Sequence, residues 1–353
     1  MRGNAFQSVR GTNGMTTRKH STGDMPTVDT VAQLAGVSRQ TVSNVVHNPE
    51  RVRPDTKRRV QHAIDTLKYR PNRLARALKA RTTNTLAYRC HQADEAENLL
   101  LDRFLHDLCR AAAVRDFHIV LISPHDVAGE LADYERLFRS GVVDGFVLSG
   151  TKPGDERLSH LNEEGIPFVS FGRNWDDSTA SLWVDVDGAA GIGDAVAYFW
   201  AAGHRRIAWL GGIGATGAGL DRQLGYRKTI TRLGGAALEF ECLDNIDGAK
   251  ATVGRVLDLA DAPTAFVCAT DVLAVGCAQA ADGRGLKLGV QLGVTGFDDT
   301  RLATAYSPEL SSIRQPTQSV AQALVDGFIA AHLEGQAVEP VIFAPTLVHR
   351  GSS

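Results

Sequence analysis

The apolar positions follow two rhythms along the chain. Across residues 27–67 they recur at helical spacing, with Val31, Ala32 and Ala35 in one stripe and Val42, Val45 and Val46 in another, and the pattern predicts three short helices. From residue 84 onward the texture changes. Short apolar runs (His118-Ile-Val-Leu-Ile122, Gly145-Phe-Val-Leu148, Phe168-Val-Ser-Phe171, Arg206-Ile-Ala-Trp-Leu210, Ala265-Phe-Val-Cys268 and residues 290–297) alternate with helical periodicity over residues 99–115, 131–140, 189–202, 220–233, 249–259 and 272–281. Such alternation predicts parallel sheets covered by helices, an α/β architecture. Its length, with no repeat of fixed period, suits two similar lobes better than one. Residues 1–25 show no apolar periodicity and are rich in Gly, Ser, Thr, Asn and Arg, so they read as a disordered leader. Met25 stands directly before the organised pattern and is the alternative to Met1 as the start of translation.

Charge sharpens this division. The net charge of −2 conceals an uneven split: residues 26–81 carry twelve Lys and Arg against four Asp and Glu, residues 1–25 add +3, and residues 82–353 balance at −13. A small basic module therefore precedes a large acidic one. A basic segment of this kind can be a solvated face, a membrane-surface patch or a nucleic-acid footprint. No apolar run approaches the ~18 residues of a transmembrane helix, and the N-terminus lacks the apolar core of a signal peptide. The expected location is the cytoplasm, in association with the nucleoid and not with a membrane. The five cysteines are widely spaced and form no CxxC pair, which predicts reduced, packed thiols and neither a disulfide nor a zinc site. No metal, cofactor or catalytic residue is expected.

The stretch from Thr27 to His47 holds two helices too short to be stable alone, separated by a single glycine. Small Ala32 allows close approach, Gly36 suits a positive φ, Val37 plugs the corner, and the Ser38 hydroxyl can cap the second helix. Arg39, Gln40, Ser43, Asn44 and His47 are left facing outward, and these residue types reach base edges and phosphates. An ordinary surface helical hairpin is the alternative. The pattern Val31-Ala-Gln-Leu-Ala-Gly-Val-Ser-Arg-Gln-Thr-Val-Ser43, followed by Thr56-Lys-Arg-Arg-Val60 and Tyr69-Arg-Pro-Asn72, closely resembles the headpiece of the lactose-repressor/galactose-repressor family.

The resemblance implies a helix-turn-helix headpiece over residues 26–70 whose second helix lies in the major groove of double-stranded DNA. Arg39, Gln40 and Asn44 fall where the family reads bases, while Thr41, Ser43 and His47 are placed for phosphates. It further implies a hinge helix and linker over residues 71–83, ordered only on DNA, in which Asn72, Ala75, Leu78 and Lys79 match the family and Leu78 wedges into the minor groove. A plain linker is the bland reading of Leu78. Paired hinges require a homodimer and a pseudo-palindromic operator. The chain departs from the family at Thr30, where an acid often completes the capping box, and at Arg53, where a serine is common. A lost cap is worth ~1 kcal/mol, and Arg53 is assigned to a phosphate in compensation.

Residues 84–353 resemble the family's effector domain, itself similar to periplasmic sugar-binding proteins, through landmarks such as Phe171-Gly-Arg173, Val184-Asp-Val-Asp-Gly-Ala189, Arg222-Gln-Leu-Gly-Tyr226, Gly296-Phe-Asp-Asp299 and Leu347-Val-His-Arg350. That fold implies two lobes, with crossovers near residues 187, 313 and 343 and a small-molecule effector in the cleft between them. Arg222 and Asp298 are the strongest effector-binding candidates, because a carboxylate accepts two hydroxyl hydrogen bonds and an arginine fork donates back; a structural ion pair is the alternative. Arg89, His91, Arg173, Thr270 and Asp271 are weaker ones. The segments Leu243-Asp-Asn-Ile246 and Gln315-Pro-Thr317 lack the aromatic that many members stack on the ligand, which leaves Phe171, Trp175 or Trp183 as substitutes. Only Gly-Ser-Ser follows Arg350, without the leucine-heptad tail of tetrameric members, so a dimer is expected.

These features combine into a repressor of carbohydrate-related genes whose DNA affinity is set by a sugar or sugar derivative. A transcription activator or a ligand-independent DNA-binding protein shares the same headpiece. A nucleotide-dependent oxidoreductase is the remote rival, since Gly212-Ile-Gly-Ala-Thr-Gly217 follows a strand and spells GxGxxG. Its helix should begin inside that motif, whereas the helical pattern starts near Leu220.

Overall fold

A computed structural model of the chain describes residues 26–69, 82–90, 99–124, 126–176, 181–215 and 217–353. The chain divides into two compact units, Met1–Arg81 and Thr82–Ser353.

In the first unit, helices α1 (Val28–Ala35), α2 (Arg39–His47) and α3 (Pro54–Leu67) close around Val31, Ala32, Ala35, Val42, Val45, Val60 and Ala63. None of the three could persist alone at these lengths, so the shared core holds them. Gly36 ends α1 at φ +62°, and the Val37 amide then donates back to the Ala32 carbonyl at 3.0 Å, which turns the chain within three residues. Ser38 Oγ accepts from the Thr41 amide at 3.1 Å and starts α2. At the head of α1 the capping box expected to be lost is closed: Thr27 Oγ1 accepts from the Thr30 amide at 3.3 Å, and Thr30 Oγ1 accepts from the Thr27 amide at 2.8 Å. A hydroxyl at position 30 replaces the acid, because the reciprocal bond needs only an acceptor within reach. Helix α3 starts on Pro54 with no side-chain cap from Arg53, as its sequence implies.

The second unit contains two six-stranded sheets. The first is built from β1 (Thr85–Arg89), β2 (His118–Ile122), β3 (Gly145–Ser149), β4 (Phe168–Phe171), β5 (Leu182–Val186) and β11 (Val341–Phe343), in the order β11-β5-β4-β3-β1-β2. The second uses β6 (Ile207–Gly212), β7 (Leu238–Cys242), β8 (Ala265–Cys268), β9 (Gly293–Phe297), β10 (Ser311–Arg314) and β12 (Thr346–Val348), in the order β12-β10-β9-β8-β6-β7. Pairing is parallel throughout except for β12 against β10. Parallel strands need crossovers, supplied by α4 (Leu99–Val114), α5 (Val127–Arg139) and α6 (Glu156–Glu163) on the first sheet, and by α7 (Gly188–Ala201), α8 (Ala218–Arg232), α9 (Ile246–Leu257) and α10 (Asp271–Asp282) on the second. A short α11 (Arg301–Ala305) precedes β10, and α12 (Thr317–Phe328) returns to pack on α4.

Helices cover both faces of each sheet, so central strands such as β3, β4, β8 and β9 are buried along their whole length. Tyr88, Phe104, Val147 and Phe328 fill one side of the first sheet, and Tyr134, Phe146 and Phe168 the other. Phe199, Trp209, Tyr226, Phe266 and Phe297 fill the core around the second. The chain passes from sheet to sheet three times, between β5 and α7, between β10 and α12, and between β11 and β12. Several element boundaries differ from the apolar pattern, two of them for a visible local reason. Helix α5 starts four residues before the expected 131, because Asp126 Oδ1 caps the Gly129 amide at 2.7 Å. Strand β9 starts at Gly293, not 290, since the Gln291 amide turns back to the Lys287 carbonyl at 2.8 Å.

Candidate nucleic-acid interface and ligand cleft

Helix α2 carries one polar face away from its core. Arg39 and Gln40 are exposed, Thr41, Ser43 and Asn44 half-buried, and Gln40 Nε2 donates to Asn44 Oδ1 at 3.2 Å across one turn. Arg39 is engaged as well: its Nε and Nη2 donate to the two carboxylate oxygens of Asp29 on α1. Thr41 Oγ1 shares a 2.9 Å hydrogen bond with Ser38 Oγ, and Arg53 is exposed at the head of α3. His47 ends α2. The hinge candidates Asn72, Ala75, Leu78 and Lys79, and the effector candidate His91, lie outside the described residues.

In the second unit a cavity of about 770 Å³ opens between the two sheets. Its lining comes from the C-terminal ends of strands on both sides, where parallel α/β sheets gather their ligand sites. Phe171 ends β4 and Trp175 follows it, Asp185 and Val186 end β5, Asp244 and Asn245 follow β7, Thr270 and Asp271 follow β8, and Phe297 ends β9 with Asp298 directly after it. Arg222, one turn into α8, has its Nη2 3.5 Å from Asp298 Oδ1 and donates through Nη1 to the Ala269 carbonyl at 2.8 Å. Its guanidinium lies 3.7 Å over the Phe297 ring, and its Nε is buried with no acceptor among the described residues. Asp298 sits at φ +98° and accepts from Gln315 Nε2 at 2.7 Å.

The carboxylates crowd one another. Burial and the Asp298 charge push Asp271 up to about 7, although it accepts from the Thr300 amide at 2.6 Å, from Thr300 Oγ1 at 2.9 Å and from Ser312 Oγ. Asp244 and Asp221 are also raised by burial, with Arg222 opposing the first and Arg173 the second. Thr270 Oγ1 caps α10 by accepting from the Leu273 amide at 3.3 Å. Arg173 stands behind the lining: it donates to Asp185 at 2.6 Å on one sheet and lies 3.5 Å from Asp221 on the helix of the other. Arg89 is not in the lining, because its guanidinium lies 3.4 Å from the buried Glu130. Arg103 on α4 reaches across and donates to the carbonyls of Asp298 and Asp299 at 2.7 and 3.0 Å.

Comparison with known proteins decides what these two units belong to. Residues 27–72 match the family described as bacterial regulatory proteins, lacI family, and residues 196–353 match a periplasmic binding protein-like domain. The transcriptional regulator CelR of Thermobifida fusca is 31% identical over 334 residues, covering 90% of this chain and 94% of that protein. The chain belongs to the lacI family of bacterial regulatory proteins. The HTH-type transcriptional repressor PurR of Vibrio atlanticus is 28% identical over 84% of this chain and 89% of its own. Among solved structures, a lac repressor dimer bound to operator and the anti-inducer ONPF superposes with a TM-score of 0.77 at 25% identity, over 93% of this chain and 98% of that one. A CelR–cellobiose complex gives 0.68 at 27% identity, over 93% and 100%.

This lacI-family chain is thus a DNA-binding transcriptional regulator built from a helix-turn-helix headpiece and a two-sheet α/β domain of the periplasmic-binding type. Of the residues singled out in its sequence, Arg222, Asp298, Thr270 and Asp271 line the cleft, with Phe171 and Trp175 among the aromatics; Trp183 does not. Asp185, Asp221, Phe297 and Gln315 were missed. Three polar contributors, Asp244, Asn245 and Gln315, come from the very segments notable for lacking an aromatic. The GxGxxG segment also behaves differently from expectation: α8 begins at Ala218, two residues early, directly after Gly217 at φ +50°. A Cβ on Gly217 would stand 2.4 Å from the Thr151 carbonyl oxygen, so the glycine allows a close approach of the two sheets' loops. Among the described residues no helix is long and apolar enough to cross a membrane, and no group of three or more His, Cys, Asp or Glu is placed to hold a metal ion.

Proposed function

We propose that the chain is a cytoplasmic, nucleoid-associated repressor of carbohydrate-related genes, without enzymatic activity. In this reading it grips a pseudo-palindromic operator as a homodimer and is controlled by a sugar or sugar derivative in the cleft. The observation that carries the ligand half is the Arg222–Asp298 pair at the mouth of β9. Asp298 offers acceptor capacity to neighbouring hydroxyls, the Arg222 Nε–H has no acceptor among the described residues, and Phe297 and Trp175 line the same cavity. A polyol needs that combination in a water-poor cleft. The related CelR has been solved with cellobiose, which supports the class of ligand.

For the DNA half, residues 26–70 act as headpiece and residues 71–83 as hinge. Arg39, Gln40 and Asn44 read base edges, and Thr41, Ser43, His47 and Arg53 hold phosphates. Leu78, with Asn72, Ala75 and Lys79 around it, enters the minor groove. Ligand binding then changes how the two lobes sit and so how often paired hinges form, which links sugar occupancy to operator affinity. A mobility shift on the gene's own upstream DNA, run with a panel of mono- and disaccharides, tests the whole. A retarded complex whose affinity changes with one sugar is expected. A complex that no sugar alters sinks the ligand half, and no complex at all sinks the DNA half.

A further inference from the structure

We propose that Asp29 is a positioning residue for base recognition: its carboxylate holds one edge of the Arg39 guanidinium so that the opposite edge is presented to a guanine. The proposal rests on the reading of α2 as the base-reading helix. A guanidinium has five N–H donors in a rigid plane. In this headpiece Nε–H and one N–H of Nη2 are taken by the two oxygens of Asp29. What remains is the end-on fork, both N–H groups of Nη1 and the second of Nη2, the shape that pairs with guanine O6 and N7.

The pair gives the fold little. Both side chains are substantially exposed, 69% for Arg39 and 48% for Asp29, and ion pairs in water contribute little to stability. Its effect is on orientation. A free arginine turns to donate singly to almost any acceptor in the groove. One held along its Nε edge is biased toward the end-on geometry, and against adenine its second donor meets the N6 amino group, another donor. Asp29 is itself well anchored, in the first turn of α1 where the helix N-terminus favours a carboxylate and the Thr27–Thr30 box fixes the backbone. Its charge also disfavours loose contact with phosphates, so the same residue weakens sequence-independent binding. Gln40 and Asn44 differ: among the described residues their side chains hydrogen-bond to each other, at 3.2 Å, and to no charged group.

The test uses the full-length protein and a pool of duplexes with a randomised core. The wild type is expected to enrich guanine at one position in each half-site, and the Kd ratio between the selected duplex and its guanine-to-adenine version gives the preference. In Asp29→Asn that preference falls roughly tenfold, while binding to a non-selected duplex is unchanged or tighter. In an Arg39→Ala background, adding Asp29→Asn changes the preference no further. If Asp29→Asn melts below the assay temperature, Asp29→Glu carries the same test, since it keeps the charge and moves the oxygens by one methylene. An unchanged preference, or an affinity lost equally on both duplexes, overturns the proposal and leaves Asp29 a structural residue. A wild type that enriches no duplex overturns the DNA-recognition reading beneath it, a result distinct from an unchanged preference.

Discussion

Replacing Asp271 with asparagine should abolish a specific part of the protein's pH dependence. Asp271 is 1% exposed, and burial together with the neighbouring Asp298 carboxylate raises its pKa from 3.8 to about 7. Because the folded-state value lies above the unfolded one, the folded chain keeps a proton that the unfolded chain has already released across this window. The stabilisation is therefore complete below the unfolded value and is lost as pH rises through about 7. The shift integrates to a ceiling on the order of 4 kcal/mol, with a slope of at most ~1.4 kcal/mol per pH unit. Asparagine is neutral throughout, and its amide can keep the local bonding: the carbonyl accepts from the Thr300 donors while the NH2 donates to Ser312 Oγ. The four tryptophans, Trp175, Trp183, Trp200 and Trp209, all lie in the second unit, so their fluorescence in urea reports that unit alone. Wild type and Asp271→Asn are to be unfolded at one protein concentration between about pH 5 and about pH 8. The wild type should lose stability relative to the variant as pH rises. A difference that stays constant, or grows in favour of the wild type, refutes the reasoning about Asp271.

Three further outcomes follow from the geometry. Asp298→Asn removes a charged acceptor from the cleft but tolerates the positive φ, so sugar affinity should fall by about 10- to 100-fold, from the ~1.5–3 kcal/mol of charge-assisted hydrogen bonds, with sugar-free operator binding near wild type by calorimetry and mobility shift. Arg103→Ala removes the two donors that tie α4 to the Asp298 and Asp299 carbonyls across the sheets, and should shrink the sugar's effect on operator affinity more than the sugar's own affinity; equal losses in both would count against it. Thr30→Ala opens the α1 capping box and should destabilise the headpiece by about 1 kcal/mol in thermal unfolding, with Thr30→Asp near wild type.

The headpiece was legible in the sequence because its determinants are local. A stripe at helical spacing, a glycine at a left-handed turn and a serine cap lie within a few residues of one another, and each acts there. The α/β rhythm was legible for the same reason wherever a strand was apolar. β10 hides because its sequence is Ser-Ser-Ile-Arg, polar at two fully buried positions. It is a strand because those serines are satisfied from afar: the Ser311 amide donates to Ser352 Oγ at 2.8 Å, and Ser312 Oγ accepts from the Asp299 amide at 2.9 Å. The cleft shows the limit most clearly. Arg222 and Asp298 came from a family pattern, whereas Asp185, Asp221, Asp244 and Gln315 come from separate elements that meet only when both sheets are assembled. Arg89 lies outside the cavity lining, 3.4 Å from the buried acid Glu130, and nothing near Arg89 in the chain signals that partner. Asp29 was passed over because its partner is ten residues away on another helix.

The central claim is that one ligand and one DNA site are coupled through this chain, and coupling is reciprocal. The decisive measurement is therefore the affinity of the active sugar for the full-length protein, titrated once without DNA and once with saturating operator duplex. The sugar's Kd should change by the same factor by which the sugar changes the operator's Kd. Equal sugar affinities with and without DNA would contradict the account.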